Sequence, residues 1–184
     1  MEKGAENYLK YLSGDDSGMT DLVIEYRDGL VMYINGIVRS MAAAEDFAED
    51  TFFRLMTKKP RYKPGAGASF RTWLYGMGRN IAYDGLRREN LIKYDDPSDS
   101  PDASDPFEEA FFKSELHKAL RRCLQKLPPE KYELIWLSYF EDMSVKQIAK
   151  ITGKREGAVY TALSRIRAEL KISLESEGYN YEDL

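Results

Sequence analysis

Residues 144–174 read SVKQIAKITGKREGAVYTALSRIRAELKISL. The segment opens with a capping box, in which the Ser144 hydroxyl and the Gln147 amide satisfy free backbone N–H groups of one helix reciprocally. Gly153 ends this short helix, because glycine readily takes the left-handed conformation required just after a helix. A longer amphipathic helix over about 155–174 follows. The pattern predicts a helix-turn-helix whose second helix has a basic exposed face; a helical hairpin that does not bind DNA is the alternative.

The rest of the chain also has helical periodicity. Apolar residues between 22 and 41 recur at three- and four-residue steps and predict one helix, and residues 44–56 predict a second. Residues 60–67 contain the breakers of a loop, after which Ser69 can cap a third helix. Further apolar stripes predict helices over about 116–127 and 130–140. No alternating strand pattern is found, so the sequence predicts an all-α fold.

Two glycines, Gly76 and Gly78, lie inside the predicted third helix. Each costs about 1 kcal/mol relative to alanine in a helix interior. We therefore expect the helix to bend or to pack very closely at this point.

The composition excludes several classes of protein. Among 184 residues there is one cysteine, Cys123, and one histidine, His117, so a disulfide framework, a thiolate zinc site and a histidine-based triad are all disfavoured. His117 is expected at a helix surface and Cys123 in the core. The sequence contains no P-loop, no metal-spaced carboxylates and no nucleophile–base set. We expect no enzyme, no cofactor and no metal site.

The chain contains no targeting or membrane signal. No stretch approaches the roughly 18 consecutive apolar residues of a membrane helix. The first six residues, MEKGAE, lack the basic-then-apolar order of a secretory signal. The sequence therefore predicts a cytoplasmic protein that does not insert into a membrane.

Residues 95–106 divide the chain. This stretch holds five Asp, three Pro and three Ser, and such a composition buries too little apolar surface to offset its ordering entropy. It predicts a flexible acidic linker between a first module, residues 1–94, and a second module, residues 107–184. We expect the two modules to be loosely tethered in the free protein.

Charge is distributed in blocks. Residues 54–94 hold ten Lys and Arg against two Asp and Glu, and residues 110–174 hold thirteen against seven. Residues 1–53 and 95–109 are acidic, so the formal net charge of −4 conceals two basic blocks. Such patches favour nucleic-acid binding more than the total charge does, although solvated helix faces are the simpler alternative.

Several motifs together resemble the extracytoplasmic-function sigma factors of the sigma-70 family. Similarity to their region 4 lies in residues 127–132 (LPPEKY), 139–144 (YFEDMS) and 147–149 (QIA), followed by the turn and last helix. Similarity to their region 2 lies in residues 44–54 (AEDFAEDTFFR), 70–75 (FRTWLY), 79–80 (RN) and 84–88 (DGLRR). The resemblance implies two small helical domains, a region 2 bundle and a region 4 helix-turn-helix. It also implies a subunit that binds the RNA polymerase core, promoter DNA and an anti-sigma factor.

The resemblance assigns two roles to the first module. The helix around residues 44–56 is expected to bind the clamp helices of the beta-prime subunit through Glu45, Asp46, Phe47, Glu49, Asp50 and Phe53. The loop and helix after it are expected to bind and melt the minus-ten element through Arg61, Tyr62, Lys63, Phe70, Arg71, Trp73, Tyr75, Arg79, Asn80, Arg87 and Arg88. Rings stack on opened bases while cations hold phosphates. Core packing is the alternative for Phe70 and Trp73, and an ordinary amphipathic core helix is the alternative for residues 44–56.

The resemblance assigns the minus-thirty-five element to the last helix. The expected contacts are Lys154, Arg155, Glu156, Tyr160, Thr161, Ser164, Arg165 and Arg167, because a recognition helix presents its N-terminal side chains to the major groove. Tyr160 and Ala162 stand where family members commonly carry Lys or Arg. A sigma-like mimic that sequesters an anti-sigma factor is therefore the second hypothesis. A simple repressor is disfavoured, since the first module resembles neither a ligand domain nor a dimer domain.

Overall fold

The computed structural model describes residues 2–65, 67–89 and 114–180. Within these ranges there are eight α-helices and no strands, which confirms the all-α prediction. The helices are α1 Lys3–Leu12, α2 Ser17–Val38, α3 Met41–Lys58, α4 Phe70–Glu89, α5 Glu115–Gln125, α6 Pro129–Tyr139, α7 Val145–Thr152 and α8 Glu156–Ser176. The predicted linker, residues 95–106, and the module boundaries at 94 and 107 lie outside the described residues. None of the helices in these ranges is long and apolar enough to cross a membrane.

Helix α2 is the centre of the first module, with α1, α3 and α4 packed around it. Its apolar side chains Leu22, Leu30 and Ile34 are fully buried. The periodic stripe predicted to reach residue 41 is divided by Arg39, which takes the left-handed conformation at φ 58° and ends α2. Ser40 then caps α3, its hydroxyl accepting from the Ala43 N–H. Met41 therefore begins the next helix.

Helix α1 was not predicted from the sequence. Its residue Tyr8 is fully buried, and its ring lies 5.6 Å from those of both Phe70 and Trp73. The Tyr8 hydroxyl donates to the Pro60 carbonyl at 2.8 Å. Helix α1 therefore packs against the loop that begins at Pro60 and against the first turn of α4.

Glycine packing in α4 is confirmed at one of the two predicted positions. A Cβ at Gly78 would lie 2.9 Å from the end of the Leu30 side chain, so α4 packs closely on α2 at this position. A Cβ at Gly76 would meet nothing within 4 Å. Gly78 is thus a packing residue, and Gly76 is not.

In the second module, α5, α6 and α7 each pack against α8. Trp136, Leu163 and Ile166 are buried, and the predictions of a buried Cys123 and an exposed His117 are confirmed. Tyr139 is 51% exposed, unlike the buried Trp136 one turn earlier. It is the last residue of α6, and its ring lies at the surface under the guanidinium of Arg167.

The two modules pack directly against each other, which differs from the expected loose tether. Helix α6 packs against α2, and α7 packs against α4. The Tyr132 hydroxyl donates to the Met32 carbonyl at 3.2 Å, and Gln147 donates to the Ser69 hydroxyl at 3.2 Å. The composition of residues 95–106 could not reveal this, because the attraction lies in side chains of the folded modules.

Candidate polymerase and promoter interfaces

The helix-turn-helix is formed by α7, the turn at Gly153 and α8. Ser144 N donates to the Gln147 side-chain oxygen at 2.9 Å and Gln147 N donates to the Ser144 hydroxyl at 3.4 Å, which is the predicted capping box. Gly153 has φ 69°, and this left-handed residue turns the chain into α8. Arg155 stands at the N-cap of α8 in an extended conformation. Local sequence signals thus set both ends of the turn.

The structure places every residue of the predicted minus-thirty-five set on the exposed surface of the turn and α8. Tyr160 is 69% exposed, whereas Val159, Leu163 and Ile166 of the same helix are buried. Arg167 is held by a cation–π contact with Tyr139, 5.5 Å from guanidinium to ring centre. The exposed face is the one that this geometry would present to a major groove. The exposed residues are Lys154, Arg155, Glu156, Tyr160, Thr161, Ser164, Arg165 and Arg167.

The predicted polymerase contacts on α3 separate into a surface stripe and two supporting residues. Asp46, Glu49, Asp50 and Phe53 are exposed, and Phe53 is 59% exposed. Glu49 and Asp50 each lie three or four residues from both Asp46 and Phe53, which places the four side chains on one face of the helix. The face combines three carboxylates with an exposed ring, which suits a partner that is both basic and apolar.

The two supporting residues of α3 contact other helices. Glu45 is half-buried and pairs with Arg27 of α2 at 3.4 Å. Phe47 is half-buried against α4, where a Cβ at Gly85 would lie 2.2 Å from its ring. These two side chains orient α3 within the first module and are only partly available to a partner.

The rings of the predicted minus-ten set belong mainly to the core. Phe70 and Tyr75 are 0% and 1% exposed. Tyr62 packs edge-on against Phe70 and closes its loop by donating to the Ala68 carbonyl at 3.1 Å. Trp73 is half-buried and lies against Tyr62 and Tyr8. The core alternative therefore describes Phe70 and Trp73, and in this arrangement Tyr75 is not accessible to bases.

Two cations of the same set are engaged by the second module. Arg71 donates to the Glu141 carbonyl at 2.9 Å. Arg79 pairs with Glu133 at 3.2 Å, and the Glu133 side chain is 1% exposed. Burial raises the pKa of both Glu133 and Glu141 above the ordinary value of 4.5. No motif or spacing in the sequence links these two acids to α4.

The remaining members of the minus-ten set are accessible. Arg61, Lys63, Asn80 and Arg88 are exposed. Arg87 is also exposed and pairs with Asp84 one turn earlier at 2.9 Å. A basic, accessible surface is thus present at the loop and at the C-terminal half of α4.

A groove of about 440 Å³ joins part of this surface to the second module. It is bounded by Arg61, Trp73 and Asn80 from the predicted set, and by Arg54 and Lys150, which sequence reasoning did not select. Lys150 also donates to the Gly67 carbonyl. Arg54 follows the acidic stripe of α3 by one turn, and only the fold shows that it faces α4. The charge of the groove suits an anion.

A further residue missed by the sequence reasoning is Glu2. Its carboxylate accepts from the backbone N–H groups of Phe70 at 2.6 Å and of Arg71 at 3.1 Å. It therefore caps the N-terminus of α4, where a negative charge is stabilised by the helix dipole. No local signal could have found a cap supplied from 68 residues away.

Comparison with known proteins identifies the two modules. The family profile described as sigma-70 region 2 matches residues 7–92, and that described as sigma-70 region 4 matches residues 117–170. The ECF RNA polymerase sigma factor RpoE of Cereibacter sphaeroides is 30% identical over 131 residues, which cover 69% of this chain and 68% of RpoE. The chain belongs to the sigma-70 family. The region 2 profile covers the second half of α1 and all of α2–α4, and the region 4 profile covers the helix-turn-helix.

A second relative and one solved structure extend the comparison of this sigma-70 family member. The ECF RNA polymerase sigma factor SigE of Mycolicibacterium smegmatis is 28% identical over 166 residues, which cover 86% of this chain and 63% of SigE. The chain therefore spans less than two thirds of the length of SigE. The sigma factor RpoE of Bartonella quintana, solved in complex with the anti-sigma factor NepR, superposes with a TM-score of 0.61 at 20% identity over 85% of this chain and 96% of that one. This likeness shows a shared fold.

Proposed function

We propose that this sigma-70 family member is a specificity subunit of bacterial RNA polymerase, with no catalytic activity of its own. It binds the core enzyme through region 2 and directs transcription initiation at selected promoters. The observation that carries the proposal is the presence of two separate exposed faces, one on each matched region. One is the acidic and aromatic stripe of α3, and the other is the polar, basic face of α8.

The face of α8 supports base-specific recognition. Arg155 stands at the start of the helix, where its guanidinium can pair bidentately with guanine, and Glu156 can accept from the cytosine amino group. Lys154, Arg165 and Arg167 provide charge for phosphates nearby. This division between base and phosphate contacts is the one expected of a helix that reads the minus-thirty-five element.

The loop before α4 and the exposed part of α4 support contact with the minus-ten element. Arg61, Lys63 and Arg88 have exposed charges, and Asn80 offers both donors and an acceptor. The Tyr62 and Trp73 rings lie beside this surface. The buried rings Phe70 and Tyr75 support this surface from within the fold.

Reconstitution with purified core polymerase tests the proposal. The chain is mixed with bacterial core enzyme and a library of genomic fragments, and transcripts are mapped by their 5′ ends. Initiation at a defined set of upstream sequences, absent with core enzyme alone, is expected. A chain that binds core and yields no new start sites would contradict the proposal.

An anti-sigma factor is the further partner that we propose. The RpoE structure that shares this fold was solved with the anti-sigma factor NepR. Co-purification of the chain from its native cell would identify such a partner. A chain that binds that partner but not core polymerase would instead be a sequestering mimic, which the sigma-factor names of the relatives do not favour.

A further inference from the structure

The loop of residues 60–69, between α3 and α4, is held at both of its ends by the N-terminal segment of the chain. At its first residue, the Tyr8 hydroxyl donates to the Pro60 carbonyl at 2.8 Å. Just after its last residue, the Glu2 carboxylate accepts from the Phe70 N–H at 2.6 Å and from the Arg71 N–H at 3.1 Å. Residues 2–8 therefore fix both ends of the loop that we assign to the minus-ten element.

The hydrogen bonds at the start of α4 show why a distant acid is needed. The regular bonds of this helix begin at Trp73, whose N–H donates to the Ser69 carbonyl at 3.0 Å. The three preceding N–H groups of α4 have no partner within the helix. The Ser69 hydroxyl accepts from one of them, Thr72, at 3.1 Å. Glu2 accepts from the other two, in a charge-assisted contact that the helix dipole favours.

The packing of α1 holds this carboxylate in place. A Cβ at Gly4 would lie 2.5 Å from the Tyr26 hydroxyl and 2.6 Å from the Phe70 ring, so the first turn of α1 lies directly on two buried rings. Tyr8, one turn further along, is itself fully buried with its ring 5.6 Å from that of Phe70. Glu2 is half-buried. The acid is therefore presented to the end of α4 by a closely packed segment.

Neither the motifs nor the family profile assigns a role to Glu2. The region 2 profile begins at residue 7, after the first turn of α1. The two backbone groups that Glu2 contacts open the helix that is predicted to meet melted DNA. An effect of this acid on DNA must therefore pass through the loop and the first turn of α4.

We propose that Glu2 is a positioning residue for promoter opening, whose carboxylate sets the conformation of residues 60–69 and of the first turn of α4. The inference rests on the proposed function. Glu2 acts through the loop and not by contact with DNA, because a carboxylate repels phosphates. Binding to core polymerase and to the minus-thirty-five element uses α3 and α8, so both are independent of Glu2.

Removal of the carboxylate should have a measurable effect. Loss of an N-terminal cap shifts the equilibrium of a helix end by about 2- to 30-fold. When only a fraction of molecules is competent, the apparent equilibrium constant falls by that fraction. We therefore expect Glu2→Ala to reduce promoter opening by about 2- to 30-fold. Glu2→Gln keeps one acceptor oxygen and should have an intermediate effect.

Amide hydrogen exchange, followed by NMR, tests the contact in the free chain. Glu2→Ala should accelerate exchange at Phe70 and Arg71 by about 2- to 30-fold. The Thr72 amide, which Ser69 caps, should change less. Glu6→Ala, which removes an exposed carboxylate one turn further along, is the matched control and should leave all three amides unchanged. Unchanged exchange at both Phe70 and Arg71 in Glu2→Ala would overturn the inference.

Promoter opening is then measured with core polymerase and a promoter found by start-site mapping. The permanganate reactivity of unpaired thymines should fall in the order wild type, Glu2→Gln, Glu2→Ala, whereas affinity for core enzyme stays constant. An affinity tag at the C-terminus leaves Glu2 undisturbed, and urea unfolding verifies that each variant is folded under the assay conditions. A parallel loss of core binding would show a general structural role and overturn the inference. Faster opening by Glu2→Ala would also overturn it, since the acid would then be repelling DNA.

A second variant loosens the other end of the loop. Tyr8→Phe keeps the ring and removes the hydrogen bond to Pro60. It should slow the same opening step without changing exchange at Phe70 and Arg71. Tyr11→Phe is the matched control, because the Tyr11 hydroxyl of the same helix donates to the Met56 carbonyl of α3 at 3.3 Å and not to the loop. Opening at the wild-type rate by both Glu2→Ala and Tyr8→Phe would overturn the inference.

The outcomes separate the inference from the proposed function. A wild-type chain that opens no promoter with core enzyme defeats the proposed function, and this inference falls with it. A wild-type chain that opens promoters, with a Glu2→Ala chain that opens them equally well, defeats the inference alone.

Discussion

The guanidinium of Arg79 and the carboxylate of Glu133 form an ion pair between the two modules, with Nε and Oε2 3.2 Å apart. The Glu133 side chain is 1% exposed, so the pair is taken out of water on one side. The attraction in such a pair is largely offset by the cost of desolvating the charges. The pair therefore contributes mainly to the orientation of α6 relative to α4, and it makes the packing of the modules sensitive to pH.

The packing of the modules should weaken as pH rises above the ordinary range of a carboxyl group. Burial raises the pKa of Glu133 above 4.5, although Arg79 and Tyr83 oppose this and Glu130 reinforces it. The packed chain therefore keeps a proton over a pH range in which the separated module has released it. The packed arrangement is favoured below that range. Across the range, the free energy that favours packing over separation falls by up to about 1.4 kcal/mol per pH unit. Fluorescence transfer between labelled modules from about pH 5 to pH 8 measures the effect.

The variant Glu133→Gln isolates this contribution, because glutamine does not titrate. We expect a shallower dependence of packing on pH than in wild type. Part of the slope should persist, since the pKa of Glu141 is raised by burial in the same direction. Identical slopes in wild type and Glu133→Gln would exclude Glu133 as the titrating group.

Charge reversal on α3 should weaken binding to core polymerase. Asp46 and Glu49 are exposed on one face of the helix, so replacing both with Lys should leave the fold intact. Like charges at an interface cost several kcal/mol, and we expect at least about tenfold weaker binding. Asp21→Lys on the exposed face of α2 is a control with the same sign of change. Equal retention of both variants on immobilised core enzyme would contradict the assignment of this stripe.

Two arginines of region 4 should have different effects on DNA binding. Arg155→Ala should cost about 1–3 kcal/mol and relax specificity at one base pair. Arg165→Ala should weaken binding to all sequences. It should also reduce, by about one, the magnitude of the slope of log binding constant against log salt concentration. Holoenzyme binding to promoter variants at several salt concentrations distinguishes the two. If neither variant alters affinity or salt slope, α8 does not read DNA and the mimic hypothesis gains support.

Two glycines of α4 should respond in opposite ways to alanine. A Cβ at Gly85 would lie 2.2 Å from the Phe47 ring, so Gly85→Ala should cost about 1–3 kcal/mol by overpacking α3 against α4. Gly76→Ala meets nothing within 4 Å and should stabilise the chain by about 0.5–1 kcal/mol through helix propensity. Urea unfolding followed by circular dichroism measures both. A Gly85→Ala chain as stable as Gly76→Ala would show that Phe47 can move aside without loss.

Local sequence patterns were sufficient for most of the secondary structure. The capping box at Ser144, the left-handed Gly153 and the cap at Ser69 each act on backbone groups within three or four residues. The periodicity of α8 predicted which of its residues are buried. It also predicted that the candidate minus-thirty-five residues lie on the opposite, solvent-exposed face. Helix α1 was not predicted, because it is stabilised by long-range contacts: Tyr8 hydrogen-bonds to the loop at Pro60 and packs against Phe70 of α4.

The helical class, the helix-turn-helix and the likeness to the sigma-70 family could be predicted from sequence, because they rest on short-range periodicity, caps and motifs in fixed order. How the residues of α4 are divided between core, surface and module interface became visible only in the fold. The decisive contacts join residues far apart in the chain: Arg79 meets Glu133 across 54 positions, and Tyr132 reaches Met32 across 100. Such pairings depend on where whole helices pack, and an aromatic or basic side chain has the same local signature whether it faces DNA, the core or another module.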